Sequence, residues 1–174
     1  GIPVVLVVGG GTGSAALNEL VRKAKGNILK DHQLIHITGE NKEVKQRLTA
    51  TEQKRYHSYP FLEHPDMLEV IKRADVVVSR SGLGVLTEIS KFGKPSILIP
   101  IPRSHQEDNA RLFQEKEAAV VLDQERITAQ EWVGKIRELI KDKGLRDRLC
   151  QNVQGIIRRD GNENTVKIVK ELID

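Results

Sequence analysis

The sequence contains a single cysteine, Cys150. One thiol can form neither an internal disulfide nor a cysteine-rich zinc site, and such a chain suits a reducing compartment. Its plain reading is a small apolar filler in a late helix. Aromatic residues make up only 3% of the chain, so the core must be aliphatic, and rings for stacking on nucleic-acid bases are scarce. No apolar run approaches the ~20 residues needed to span a bilayer, and no secretory apolar segment opens the chain, so a cytoplasmic location is expected. Long blocks of one charge are missing too. The net charge of +4 is spread out rather than gathered into a basic stripe, which argues against a nucleic-acid partner. A mild excess of this kind also suits a phosphorylated ligand or an anionic lipid. His32, His36, His57 and His64 have no ligand spacing with cysteine or carboxylate, and no Asp-x-Asp pair occurs. Neither a metal nor a cofactor is expected.

What is present is an ordinary globular composition, 39% hydrophobic and 30% charged over 174 residues, enough for one domain with its own core. The opening Gly1-Ile2-Pro3 runs straight into a strand-like segment, so the chain reads as a piece of a longer protein. Short, continuous, β-branched-rich runs lie at Val4–Val8, Leu34–Thr38, Tyr56–Phe61, Val76–Ser79, Ile97–Ile101 and Ala119–Leu122. They do not alternate, as expected of strands buried on both faces. Helical stretches separate them, at about 14–25, 42–54, 67–74, 84–92 and 106–116, followed by 129–141, 145–157 and 163–173. Ser104-x-x-Glu107 and Thr128-x-x-Glu131 read as capping boxes, and Gly26, Gly93 and Gly144 read as helix stops. The fold class predicted is α/β: a single Rossmann-like domain, with a doubly wound, mostly parallel sheet of about six strands and helices on both faces. Ligands of such sheets sit beyond the carboxyl ends of the strands.

Three of those loops carry chemistry. Gly9-Gly10-Gly11-Thr12-Gly13-Ser14 follows the first strand and opens the first helix, where backbone can approach a ligand closely and the helix N-terminus favours an anion. It loosely fits a dinucleotide fingerprint, for which Glu40 would be the ribose acid. Ser79-Arg80-Ser81-Gly82-Leu83-Gly84-Val85-Leu86-Thr87-Glu88 turns from strand to helix at once. The free N–H groups of Leu83, Gly84 and Val85 would cradle a diphosphate, and Glu88 a turn later could accept both ribose hydroxyls. Ser81 sits on a turn that mimics a nucleophile elbow but lacks the flanking glycines of G-x-S-x-G. In the third loop Gln106 and Asn109 share a helix face, and amides suit the hydroxyls of a sugar. His105 beside them is either a cap-side contact or a base.

Ser-Arg-Ser-Gly, then Thr87-Glu88-Ile89, then Phe92-Gly93-Lys94-Pro95-x-Ile-Leu-Ile-Pro100, resembles the donor domain of the peptidoglycan N-acetylglucosaminyltransferase family, the MurG-type enzymes. Gly9-Gly10-x-x-Gly13 with Leu17-Asn18, Phe61-Leu62 with Asp66-Met67, Asn109-Ala110 and Ala118-Ala119 extend the resemblance over nearly the whole chain. It implies phosphate contacts at Gly10, Gly11, Thr12, Gly13, Ser81, Gly82, Leu83, Gly84, Val85, Leu86 and Thr87. It also implies a ribose contact at Glu88, a uracil contact at Leu62, and sugar contacts at Gln106, His105 and Asn109. The sequence departs from that family at Gly11, where serine is usual, at His105, where a second glutamine is usual, and in a 62–66 loop about two residues longer.

The resemblance implies residues 1–174 as the C-terminal donor domain of an inverting GT-B glycosyltransferase, binding UDP-N-acetylglucosamine. The acceptor domain and the catalytic base would belong to an N-terminal half, in cis or as a separate subunit. The lipid-linked acceptor would lie at the inner face of the cell membrane. Three other readings stay open: the stand-alone subunit of a two-piece dolichol-pathway transferase, another UDP-sugar enzyme of this architecture, and a nucleotide-sugar-binding regulator without chemistry.

Overall fold

Alternate residues of the first strand, β1 (Val4–Val8), enter two different cores: Val5 and Val7 join one cluster, Leu6 and Val8 the other. That split is why the strand is apolar at every position, since successive side chains point to opposite faces and both faces are covered. In the computed structural model, residues 1–40, 42 and 48–157 are described. After β1 come α1 (Ala15–Ile28), β2 (Gln33–Ile37), α2 (Ala50–Arg55), β3 (Tyr56–Tyr59), α3 (His64–Arg73), β4 (Val76–Ser79) and α4 (Leu83–Phe92). The order continues with β5 (Ser96–Leu98), α5 (His105–Glu115), β6 (Val120–Val121), α6 (Ala129–Lys141) and α7 (Lys143–Val153).

The described strands form one six-stranded sheet in the order β3-β2-β1-β4-β5-β6, and every pairing is parallel. On one face, α1 and α6 bury Leu17, Val21, Ile28, Trp132, Ile136 and Leu139. On the other, α3, α4 and α5 bury Ile71, Leu86, Ile89 and Phe113. The core is mainly aliphatic, with Trp132, Phe113 and Tyr56 as its aromatic members. Cys150 lies half-buried in α7, where burial pushes its thiol above the ordinary value, an inert setting. No described helix is long and apolar enough to cross a membrane.

Several helix boundaries differ from the sequence expectation. Gly26 does not stop α1, which continues to Ile28. A helical glycine costs about 1 kcal/mol, and burying Ile28 completely returns about 2 kcal/mol, so packing overrides propensity. Gly144 falls inside the first turn of α7, because Asp142 both ends α6 and caps α7, accepting from Leu145 N at 2.9 Å. Gly93 does stop α4, in the left-handed conformation with φ 60°. The Thr128–Glu131 capping box is complete. At the other site, Ser104 Oγ accepts from Gln106 N while the Glu107 carboxylate accepts from Arg103 N, so the reciprocal pair is shifted back by one residue. Of the helix expected at 42–54, positions 43–47 lie outside the described residues, 48 and 49 are not helical, and α2 begins at Ala50 with Thr49 as its cap. All of that expected at 163–173 lies outside the described residues.

Candidate functional site

β1 has β2 on one side and β4 on the other. The chain therefore leaves these two central strands toward opposite faces, opening a crevice at their carboxyl ends. Both glycine loops emerge there. The first turns sharply after β1, with Gly13 N donating to Gly10 O at 3.0 Å, and Ser14 then caps α1 by accepting from Leu17 N at 3.3 Å. Gly13 is held against the loop that follows β2, where a Cβ would collide with the Thr38 carbonyl. Lys42 Nζ donates to Thr12 O at 2.7 Å from the same side.

The second loop leaves β4 and enters α4 without any side-chain cap at Gly82. Leu86 N donates to Gly82 O at 3.1 Å and begins the intrahelical ladder. The N–H groups of Leu83, Gly84 and Val85 precede that first bond and have no helical acceptor. Between the two loops lies a cavity of about 620 Å³. Gly10, Gly11, Thr12 and Gly13 line it from one side, and Gly82, Gly84 and Val85 from the other, with Gln106 also in the lining. Two helix N-termini thus converge on one space, each favouring negative charge.

Other expected residues occupy different positions. Leu86 is buried, with its N–H already bonded. Thr87 is exposed and donates its hydroxyl to Leu83 O at 2.8 Å. Ser81 is fully buried behind the loop, donating to Gln106 O at 2.7 Å, while the Asn109 amide donates to Ser81 O at 2.9 Å. These two side chains brace the second loop against α5. The Gln106 amide oxygen accepts from Ile101 N at 3.3 Å. His105 is the exposed first residue of α5 and Glu40 an exposed residue beyond β2, and neither lines the cavity.

Glu88 lies one turn along α4, outside the cavity lining, with its side chain 19% exposed. Burial raises its carboxyl above the ordinary value, partly offset by His64 and Lys91. His64 Nδ1 stands 3.4 Å from Glu88 Oε1. Leu62, two residues earlier, is partly buried against the same core cluster as Val85. His64 thus pairs with Glu88 outside the cavity lining, and Leu62 packs on the core cluster that Val85 of α4 also joins.

Two further residues went unread in the sequence. Arg80 is buried in the cavity wall and reaches Ser14, Ile99, Pro100 and Gln124. Gln124 comes from the loop after β6, more than forty residues away in sequence. Only the register of the sheet brings them together, so the Ser-Arg-Ser-Gly motif that contains Arg80 did not show these partners, and no local pattern marked Gln124.

The family model for the glycosyltransferase family 28 C-terminal domain matches residues 4–153. Two relatives bear the name UDP-N-acetylglucosamine--N-acetylmuramyl-(pentapeptide) pyrophosphoryl-undecaprenol N-acetylglucosamine transferase. The one from Bacillus licheniformis is 33% identical, over 99% of this chain and 48% of its own. The one from Nostoc punctiforme is 32% identical, over 100% and 48%. The chain spans about half the length of these relatives. Among solved structures, MurG of Acinetobacter baumannii superposes with a TM-score of 0.79 at 21% identity, covering 98% of this chain and 50% of that one. A UDP co-structure of MnaA from S. aureus superposes at 0.73 with 14% identity, over 98% and 46%. At those identities the likeness is one of fold. Matched over most of its length by the family model, the chain belongs to glycosyltransferase family 28, and residues 4–153 are its C-terminal domain.

Proposed function

We propose that this chain binds UDP-N-acetylglucosamine as the donor half of an inverting glycosyltransferase acting on a lipid-linked acceptor in peptidoglycan synthesis. The observation that carries the reading is the uncapped N-terminus of α4, facing the first glycine loop across the cavity, with a half-buried carboxylate one turn further on. The names of the curated relatives supply the sugar and the acceptor class.

The diphosphate rests on the N–H groups of Leu83, Gly84 and Val85, Glu88 accepts the ribose hydroxyls, Leu62 borders the uracil, and Gln106 meets the hexosamine. As the glycosidic bond breaks, charge grows on the departing diphosphate, and preorganised backbone dipoles stabilise it without reorganising. The attacking hydroxyl and its base come from the N-terminal half of the full-length enzyme, at the inner membrane face. No divalent ion is required in this scheme, so a chelator leaves UDP binding unchanged.

The test is calorimetric titration with UDP and UDP-N-acetylglucosamine. Glu88→Ala is expected to weaken UDP by about 1.5–3 kcal/mol, the range for hydrogen bonds to a charged group. Unchanged affinity in a folded variant sinks the ribose assignment. Accepting both hydroxyls, one on each oxygen, calls for the ionised carboxylate, because protonation turns one oxygen into a donor and removes the charge. Since burial raises the Glu88 pKa, UDP affinity falls as pH drops toward that raised value, and Glu88→Gln removes the dependence.

A further inference from the structure

Arg80 directly follows β4 and is only 6% exposed. Its five N–H donors are all engaged. Nε and Nη2 donate to Ser14 Oγ at 3.1 and 2.8 Å, Nη1 donates to the Ile99 and Pro100 carbonyls at 2.8 and 3.0 Å, and Nη2 also donates to Gln124 Oε1. Every one of these acceptors is neutral. Among the described residues no carboxylate lies within ion-pair distance, and burial alone pushes the guanidinium below its ordinary value, with no acidic group opposing it.

A buried charge without a counter-ion is costly, and proteins normally pair it. Arg80 is also the only charged residue in the described lining of the cavity, which holds no aspartate or glutamate. The N-termini of α1 and α4 add partial positive charge to the same space. The one formal charge in the described lining is therefore positive, the two helix N-termini add to it, and no group of the wall offsets it. We infer that Arg80 is a positioning residue of the donor site, and that the ligand's diphosphate supplies the counter-charge which the protein does not.

This rests on the donor-site reading and refines it in one respect. With every donor committed, Arg80 serves the phosphates through its field and through the groups it holds. It fixes Ser14, which also caps α1, against the loops after β5 and β6, and so sets the distance between the two glycine loops. Lysine in its place retains the charge and loses the fork.

The experiment compares UDP, UMP and uridine, measured directly or by competition, on wild type, Arg80→Gln and Arg80→Lys. For Arg80→Gln the loss is expected to be graded by ligand charge: at least tenfold for UDP, smaller for UMP, and little for uridine. Equal losses for all three ligands mean a purely structural arginine and overturn the assignment. Arg80→Lys is expected to bind all three more weakly while keeping the preference for UDP over uridine. Should Arg80→Gln fail to fold, the lysine variant decides alone, because a lost preference there shows that the charge does not act as stated. A wild type that binds none of the three removes the donor reading itself, which is a different failure.

Discussion

The glycines of the two loops divide by what surrounds them. At Gly9 a Cβ would collide with Ser14 N, and at Gly13 with the Thr38 carbonyl, so the protein itself excludes larger residues there. At Gly82 and Gly84 a Cβ would meet nothing within 4 Å. The open space belongs to the cavity, and the absence of side chains there serves a ligand. Gly84→Val is accordingly expected to fold with a melting temperature near that of wild type, because no neighbour is displaced. Its UDP affinity should fall more than tenfold, since the side chain stands where phosphate approaches the α4 amides. Calorimetry beside thermal melting checks both halves, and a variant that binds UDP normally places the phosphates elsewhere. Gln106, in the cavity lining, predicts the opposite selectivity. Gln106→Ala should weaken UDP-N-acetylglucosamine and leave UDP nearly untouched, and equal losses make Gln106 a structural residue.

Between α1, β2 and β3 runs a buried polar network whose protonation bears on stability. The Asn18 amide nitrogen donates to the Thr38 and Lys42 carbonyls, so its oxygen is left to accept from His36 Nε2 at 2.9 Å. His36 Nδ1 then accepts from the Tyr56 hydroxyl at 3.0 Å, which describes a neutral imidazole. Burial, with a smaller contribution from Lys25, lowers the His36 pKa to about 4. An unfolded chain takes up this proton near the ordinary pKa of 6.5, while the folded one resists until about 4. Stability present above that ordinary value is lost progressively as pH falls between the two, by up to about 3 kcal/mol. Burial lowers the His32 pKa as well, with the same sign. Denaturant melts across this range should show the decline, and His36→Gln, though weaker at neutral pH, should show a flatter slope. An unchanged slope places the proton uptake at another group. Because Thr38 and Gly39 pack on Gly13, the same network steadies the first glycine loop from behind.

The curated relatives are about twice as long as this chain. Transfer needs an acceptor hydroxyl held in line with the anomeric carbon and a base within hydrogen-bond reach. His105 is exposed at the head of α5, and no described histidine lines the cavity. The chain alone is therefore expected to bind UDP-N-acetylglucosamine, to hydrolyse it slowly at most, and to transfer nothing to a lipid-linked acceptor. An open cleft also admits water, which weakens the help the helix dipoles give to the leaving group. Supplying an N-terminal half, in cis or as a second chain, should restore turnover. Robust radiolabelled transfer by the purified chain overturns the half-enzyme reading.

Local sequence determined most of the architecture. Runs such as Val4–Val8 and Val76–Ser79 are apolar at every position because both faces of a parallel strand are buried, and that signature is readable without a structure. The two glycine loops were legible for the same reason: a helix N-terminus needs only a strand before it and residues without bulk. Gly26 was misread because a propensity near 1 kcal/mol is local, whereas the burial of Ile28 that overrides it depends on the sheet beneath. Arg80 gave no sign of its place, since its partners Ser14, Ile99 and Gln124 come from three other loops. Nor did Ser81 and Asn109 show which way they face: behind the second loop, bracing it against α5. A backbone cradle follows from neighbours in the chain, but a buried charge is defined by what surrounds it in space. That is set only once six strands have taken their register.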